Sequence, residues 1–176
     1  MLAQRPDPVA CQVCDRHIPI ITVGTVVKPK VKKWQPVISL GLAQNKGKYS
    51  ILEAIKLTNP AQQVKDGSQV INYNYQNIET PIIIAYNPTN FLSVGGGLQA
   101  SYLLNASQDT RKINFDTDQR FNRLGFGWLL DAEIGAKNRG PRLGFTYTQY
   151  YGSGLKAKSY GTLEATIRVQ IGKKPQ

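Results

Sequence analysis

The stretch "GWLLDAEIGAKNRGPRLGFTYTQYY", residues 127–151, decides the fold. Trp128, Leu130, Ala132 and Ile134 alternate with Gly127, Asp131, Glu133 and Gly135, and Leu129 is the one exception. Past Asn138–Pro141 ("NRGP"), Leu143, Phe145, Tyr147 and Tyr151 alternate with Arg142, Gly144, Thr146 and Thr148, interrupted by Gln149. A period of two places successive side chains on opposite faces of a strand, and an Asn-Gly-Pro turn between two such runs makes an antiparallel hairpin. One face of that hairpin holds large apolar groups. The other holds carboxylates and cations in a single row.

The pattern continues in both directions. In Tyr160–Gly172 the apolar set is Leu163, Ala165, Ile167, Val169 and Ile171, against Thr162, Glu164, Thr166, Arg168 and Gln170. Leu124–Lys137 and Asn90–Leu104 alternate in the same way, the latter with Leu92, Val94, Leu98, Ala100, Tyr102 and Leu104 on the apolar side. Val70–Tyr86 changes phase between Tyr73/Tyr75 and Ile82/Ile84/Tyr86, which predicts a bulge near Thr80–Pro81. Trp34–Gln44, Tyr49–Thr58 (with Glu53 among its apolar residues) and the short β-branched run Ile18–Val27 complete a set of eight strands. Tight turns at Asn45–Lys48, Asn87–Thr89 and Asn138–Pro141 alternate with longer polar connections at Asn59–Gln69, Asn105–Gln119 and Gly152–Ser159. This is an antiparallel meander with short turns at one end, long loops at the other, and both termini on the short-turn side. The expected organisation is an N-terminal tail over residues 1–17, a barrel over 18–172 and a C-terminal tail over 173–176.

Alternation alone leaves open which face is wet. A soluble lipocalin-like barrel would bury the apolar face and bind an apolar ligand inside; a membrane barrel does the reverse. Three features favour the membrane. The strands run to about 10–14 residues, enough for a tilted crossing, where soluble strands have about 5–6. Aromatics lie near strand ends, at Trp34, Tyr49, Tyr86, Phe91, Tyr102, Tyr147, Tyr151 and Tyr160, as an interfacial girdle requires. The polar face is built from Gly, Ser, Thr and Gln with charges of both signs, which suits the narrow lumen of an eight-stranded barrel. The fold expected is an all-β, eight-stranded, antiparallel up-and-down transmembrane β-barrel of outer-membrane type. Asp131, Glu133, Lys137, Arg142, Glu164 and Arg168 then form an ion-pair network inside it, because charge is costly in hydrocarbon.

At "YQNIETPIIIAYNPTNFLSVGGGLQASYLL", residues 75–104, the sequence resembles the PorT-like outer-membrane β-barrel family of Gram-negative bacteria. Tyr75, Ile78, Glu79, Pro81, Ile82, Ile83 and Tyr86 carry the first element, and Phe91, Gly95–Gly97 and Tyr102–Leu104 the second. "RLGFGWLLDAEIGAK" and "RLGFTYTQYYGSGL" resemble the strands that follow. The resemblance implies a small barrel in the outer membrane, with a role in secretion or envelope assembly for a few members, and brings no catalytic residue with it; the role expected of this chain is structural, scaffolding or envelope/secretion-associated.

The 176 residues carry 22 Lys+Arg against 11 Asp+Glu, a formal net charge of +11, which invites a polyanionic partner. Lys28, Lys30, Lys32, Lys33, Arg111, Lys112, Lys156 and Lys158 all fall at the long-loop end, where lipopolysaccharide phosphates would meet them. They are scattered through loops rather than interleaved with aromatics on one sheet face, so nucleic acid is not expected as a partner. Outer-membrane lipid, lipopolysaccharide and other envelope proteins are. The single His17 has no nucleophile and base arranged beside it, and the expectation is no enzyme and no cofactor. Cys11 and Cys14 form a lone CxxC without the further ligands a zinc site needs; a disulfide or an incidental tether is expected, and no metal. "MLAQRPDPVACQVC" has no apolar core of a signal peptide. "LAQ" reads as the stub of a removed signal, the alternative being translation from Met1.

Overall fold

The computed structural model describes residues 17–28, 31–66, 69–108, 111–112, 121–136, 140–152, 154–155 and 159–171. Twelve strands cover them: β1 (His17–Lys28), β2 (Val31–Lys46), β3 (Tyr49–Thr58), β4 (Ala61–Asp66), β5 (Gln69–Tyr86), β6 (Leu92–Gln108), β7 (Arg111–Lys112), β8 (Phe121–Asn122), β9 (Leu124–Ile134), β10 (Arg142–Tyr151), β11 (Gly154–Leu155) and β12 (Tyr160–Gln170). Eight of these, in the order β5-β3-β2-β1-β12-β10-β9-β6, form one antiparallel sheet, and pairing of β5 with β6 closes it into a ring. The seam between the two ends of the chain is a full ladder, from Ile20 opposite Gln170 to Val27 opposite Leu163. Gly47, at a φ of 59°, makes the β2–β3 turn, a conformation open to glycine without a Cβ clash.

The ring is turned inside out relative to a soluble barrel. Trp128, Phe145 and Ile167 are 38%, 45% and 50% exposed, whereas Asp131 and Arg168 are each 5% exposed. Leu40, Ile55, Ile82, Leu98 and Leu130 face outward around the ring, and Thr22, Ser39, Thr146, Thr162 and Thr166 face inward. Water would not tolerate so continuous an apolar belt, and hydrocarbon would not tolerate the inner face turned outward. The lipocalin-like alternative is therefore excluded.

Two details differ from the sequence reading. Tyr73, Tyr75, Asn77, Glu79, Ile83 and Ala85 all face inward, so β5 keeps one phase throughout. The register shift lies between Gln76 and Asn77, where β6 carries one residue more, and not at Thr80–Pro81. The apparent phase change is a change of surroundings: inward tyrosines at the mouth give way to outward isoleucines in the belt. Tyr160 also leaves the girdle. It is buried inside, its ring 4.6 Å from that of Tyr150. Tyr49, Tyr86, Phe91, Tyr102, Tyr147 and Tyr151 do face outward, and the Trp34 side chain lies outside the described residues.

The first long connection also holds more strand than loop. β4 continues the β3 edge along β5, from Ala61 opposite Asn74 to Asp66 opposite Gln69. The 18 residues of β5 reach about 45 Å along the barrel axis at ordinary rise and tilt, well beyond an apolar band about 25 Å tall. Inside that projection Tyr73, Tyr75, Leu103, Ala106 and Phe121 pack into a small apolar core. Tyr73, Tyr75, Tyr160 and Tyr150 form a run of stacked rings there, with Phe121 edge-on to Tyr73 and Tyr75.

Candidate functional site in the barrel lumen

The lumen holds two layers of charge. In the layer nearer the short turns, Arg168 of β12 grips Asp131 of β9 with both guanidinium nitrogens, at 2.7 and 2.9 Å. The same guanidinium donates to Glu133, which also pairs with Arg142. Thr146 donates to Asp131 Oδ1 at 2.5 Å and lies 3.1 Å from Arg168 Nη2. The register explains how Arg168 reaches β9 across the strand between them. Gly144 of β10 stands opposite Glu133 on one side and Thr166 on the other. A Cβ there would lie 2.6 Å from Thr166 Oγ1 and 3.1 Å from Arg168 Nε, so the glycine leaves the gap through which the guanidinium crosses.

In the second layer, Lys56 of β3 bridges Glu79 of β5 at 2.9 Å and Glu164 of β12 at 2.7 Å. Glu79 also accepts from Thr58 at 2.7 Å and from Tyr150 at 2.8 Å, with Gln99 at 3.4 Å. This layer ties opposite walls of the barrel together. A buried carboxylate needs several donors to offset its lost hydration, and Glu79 has them.

Of the six residues expected in the lumen network, Asp131, Glu133, Arg142 and Arg168 come together in one cluster. Glu164 belongs to the other layer, with Lys56 and Glu79. Lys137 lies outside the described residues. Lys56 and Glu79 were missing from the expected set. Their signal was present, since each occupies the polar phase of its strand, but period two does not say which inward charges meet across a lumen. Lys28 ends β1, Lys32 and Lys33 begin β2, and Arg111 and Lys112 form β7, all at the long-loop end, with their side chains outside the description. Lys30, Lys156, Lys158, Cys11 and Cys14 are outside the described residues. No group of His, Cys, Asp and Glu suited to a metal ion occurs among the described residues.

The layers fill the interior. Two cavities border them, of about 30 Å³ beside Lys56, Glu164 and Arg168, and about 20 Å³ beside Asp131, Glu133 and Arg142. Each holds about one or two waters.

An inverted eight-stranded ring with a salt-bridged, packed lumen defines a small β-barrel of the outer-membrane type. Solved structures of small outer-membrane proteins are similar, one of them at a TM-score that shows a shared fold. Neisserial surface protein A is similar at 14% sequence identity, with 88% of this chain and 96% of that one covered and a TM-score of 0.50. Ail, the attachment invasion locus protein of Yersinia pestis, aligns at 15% identity over 87% of this chain and 97% of its own, with a TM-score of 0.48. The outer membrane enzyme PagL aligns at 12% identity over 89% and 100%, with a TM-score of 0.42. No protein-family model matches the chain, and no curated protein matches it in sequence.

Proposed function

We propose that this barrel is a closed, non-catalytic element of the outer membrane, with the structural, scaffolding or secretion-associated role of the PorT-like proteins it resembles. One observation carries the reading: the lumen is occupied from wall to wall by Lys56–Glu79–Glu164 and by Arg168–Asp131–Glu133–Arg142. A barrel packed in this way transports nothing through its centre, and its work falls to its outer faces. The PorT-like reading rests on the likeness of the quoted strands alone; in the fold, Glu79 of the first element anchors a charge layer, and Gly95–Gly97 pair with Ile83–Ala85 of the preceding strand. The cations Lys28, Lys30, Lys32, Lys33, Arg111, Lys112, Lys156 and Lys158, which the sequence assigns to the long connections, suit contact with lipopolysaccharide phosphates.

Reconstitution into planar bilayers tests the closed lumen. The expected record is flat, with no unitary conductance steps from correctly folded, heat-modifiable protein. Regular steps that disappear when Lys56 is replaced by a bulkier side chain would place a conducting path through the centre and overturn the proposal.

A further inference from the structure

Of the five acidic side chains described, Glu79, Asp131, Glu133 and Glu164 turn into the lumen, and Glu53 alone turns out. It sits on β3 opposite Leu42 of β2 and Ile82 of β5, with Ile51 and Ile55 on its own strand. All four neighbours are exposed and apolar. Tyr49 and Tyr86, with rings 5.4 Å apart, mark the girdle at the short-turn end. Glu53 lies four residues further along β3, which at ordinary rise and tilt is about 10 Å into a band about 25 Å tall. It is therefore near the middle of the hydrocarbon, and its two-methylene stem is far too short to reach either surface. It makes no hydrogen bond or ion pair among the described residues. Around it the outer wall is recessed into a groove of about 600 Å³, lined by Leu40, Gly41, Leu42, Glu53, Ile55 and Ile82 among others.

We propose that this groove is an intramembrane docking surface for a second, different membrane protein, whose apolar segment presents a lysine or arginine to Glu53 at mid-depth. Charge complementarity selects that occupant. An acyl chain offers no donor, and lipid amines stay at the interface. Among the described residues a second copy of the barrel offers no counter-charge at that depth, because its exposed cations Lys46, Lys48 and Arg123 lie at a strand end, a turn and a bend, outside the middle of the band. Charged groups inside membranes are held by opposite charges on neighbouring segments. The groove depends only on the barrel standing in a bilayer, so a conducting lumen would leave it untouched.

The test uses the full chain with Cys11→Ser, Cys14→Ser and Lys48→Cys, carrying a donor dye at Cys-labelled position 48, in phosphatidylcholine vesicles. The probe is an acceptor-labelled, 21-residue Leu/Ala transmembrane peptide with one central lysine; a peptide with leucine at its centre is the control. The lysine peptide is expected to associate about tenfold more tightly with Glu53 present than in E53Q, while the leucine peptide treats both alike. In E53K the preference should pass to a peptide with a central glutamate, which separates lost complementarity from lost folding. A lysine peptide indifferent to E53Q and E53K would overturn the proposal. Energy transfer between two barrels that E53Q abolishes would overturn it in favour of self-association.

Discussion

Replacing Arg168 with methionine removes the group that holds the lower charge layer together. Its guanidinium makes two bonds to Asp131, at 2.7 and 2.9 Å, and further bonds to Glu133 and Thr146. In Arg168→Met, Glu133 keeps Arg142, but Asp131 keeps only the hydroxyl of Thr146. Breaking a buried pair on one side costs about 3–5 kcal/mol, most of it the stranded charge rather than the lost attraction. At an m-value of about 2 kcal/mol per molar, the urea midpoint should fall by roughly 2 M. Unfolding of the vesicle-inserted barrel, followed by tryptophan fluorescence and by heat-modifiable gel mobility, measures it. Arg168→Met combined with Asp131→Asn should recover more than half the loss, because the double variant strands no carboxylate. A single variant within about 1 kcal/mol of the parent, or a double variant no better than the single, would refute the account of the lumen as a set of mutually satisfied charges.

Leu130→Arg turns a charge into the outer belt four residues from the Ile134 end of β9, and should cost about 2–4 kcal/mol in lipid. Leu124→Arg, at the other end of the strand, should cost about 0–1 kcal/mol, and urea titration of both shows whether depth governs the penalty. Lys156→Gln with Lys158→Gln should weaken lipopolysaccharide binding and flatten its salt dependence in a vesicle or micelle titration, leaving barrel stability within about 0.5 kcal/mol.

The sequence exposed the sidedness of the barrel strand by strand, because a strand in lipid has to keep most of its polar groups on the inner face. Leu143, Phe145 and Tyr147 of β10 point out and Gly144, Thr146 and Thr148 point in, as their alternation reads. Where the chain rises above the lipid that pressure ends. Tyr73, Tyr75 and Tyr160 can be both aromatic and inward there, and their pattern looks like a slipped strand or a girdle when it is neither. The same loss of contrast hid β4, whose "AQQVKD" is as polar as a loop. Within the lumen, inward charges were visible one by one, but their partition was not. Lys56 and Glu164 are 108 residues apart and meet only because the ring closes, while Arg168 passes β10 at a residue remarkable only for having no side chain.

The ladder between β1 and β12 has a consequence for biogenesis. Only β12 pairs with that edge of β1, so until β12 arrives the growing sheet has two unsatisfied margins, each able to recruit a stray strand from another molecule. Whatever precedes the pairing of β12 with β1 therefore acts on an open ribbon. Any agent that guides the process must cover both margins at once and release them together.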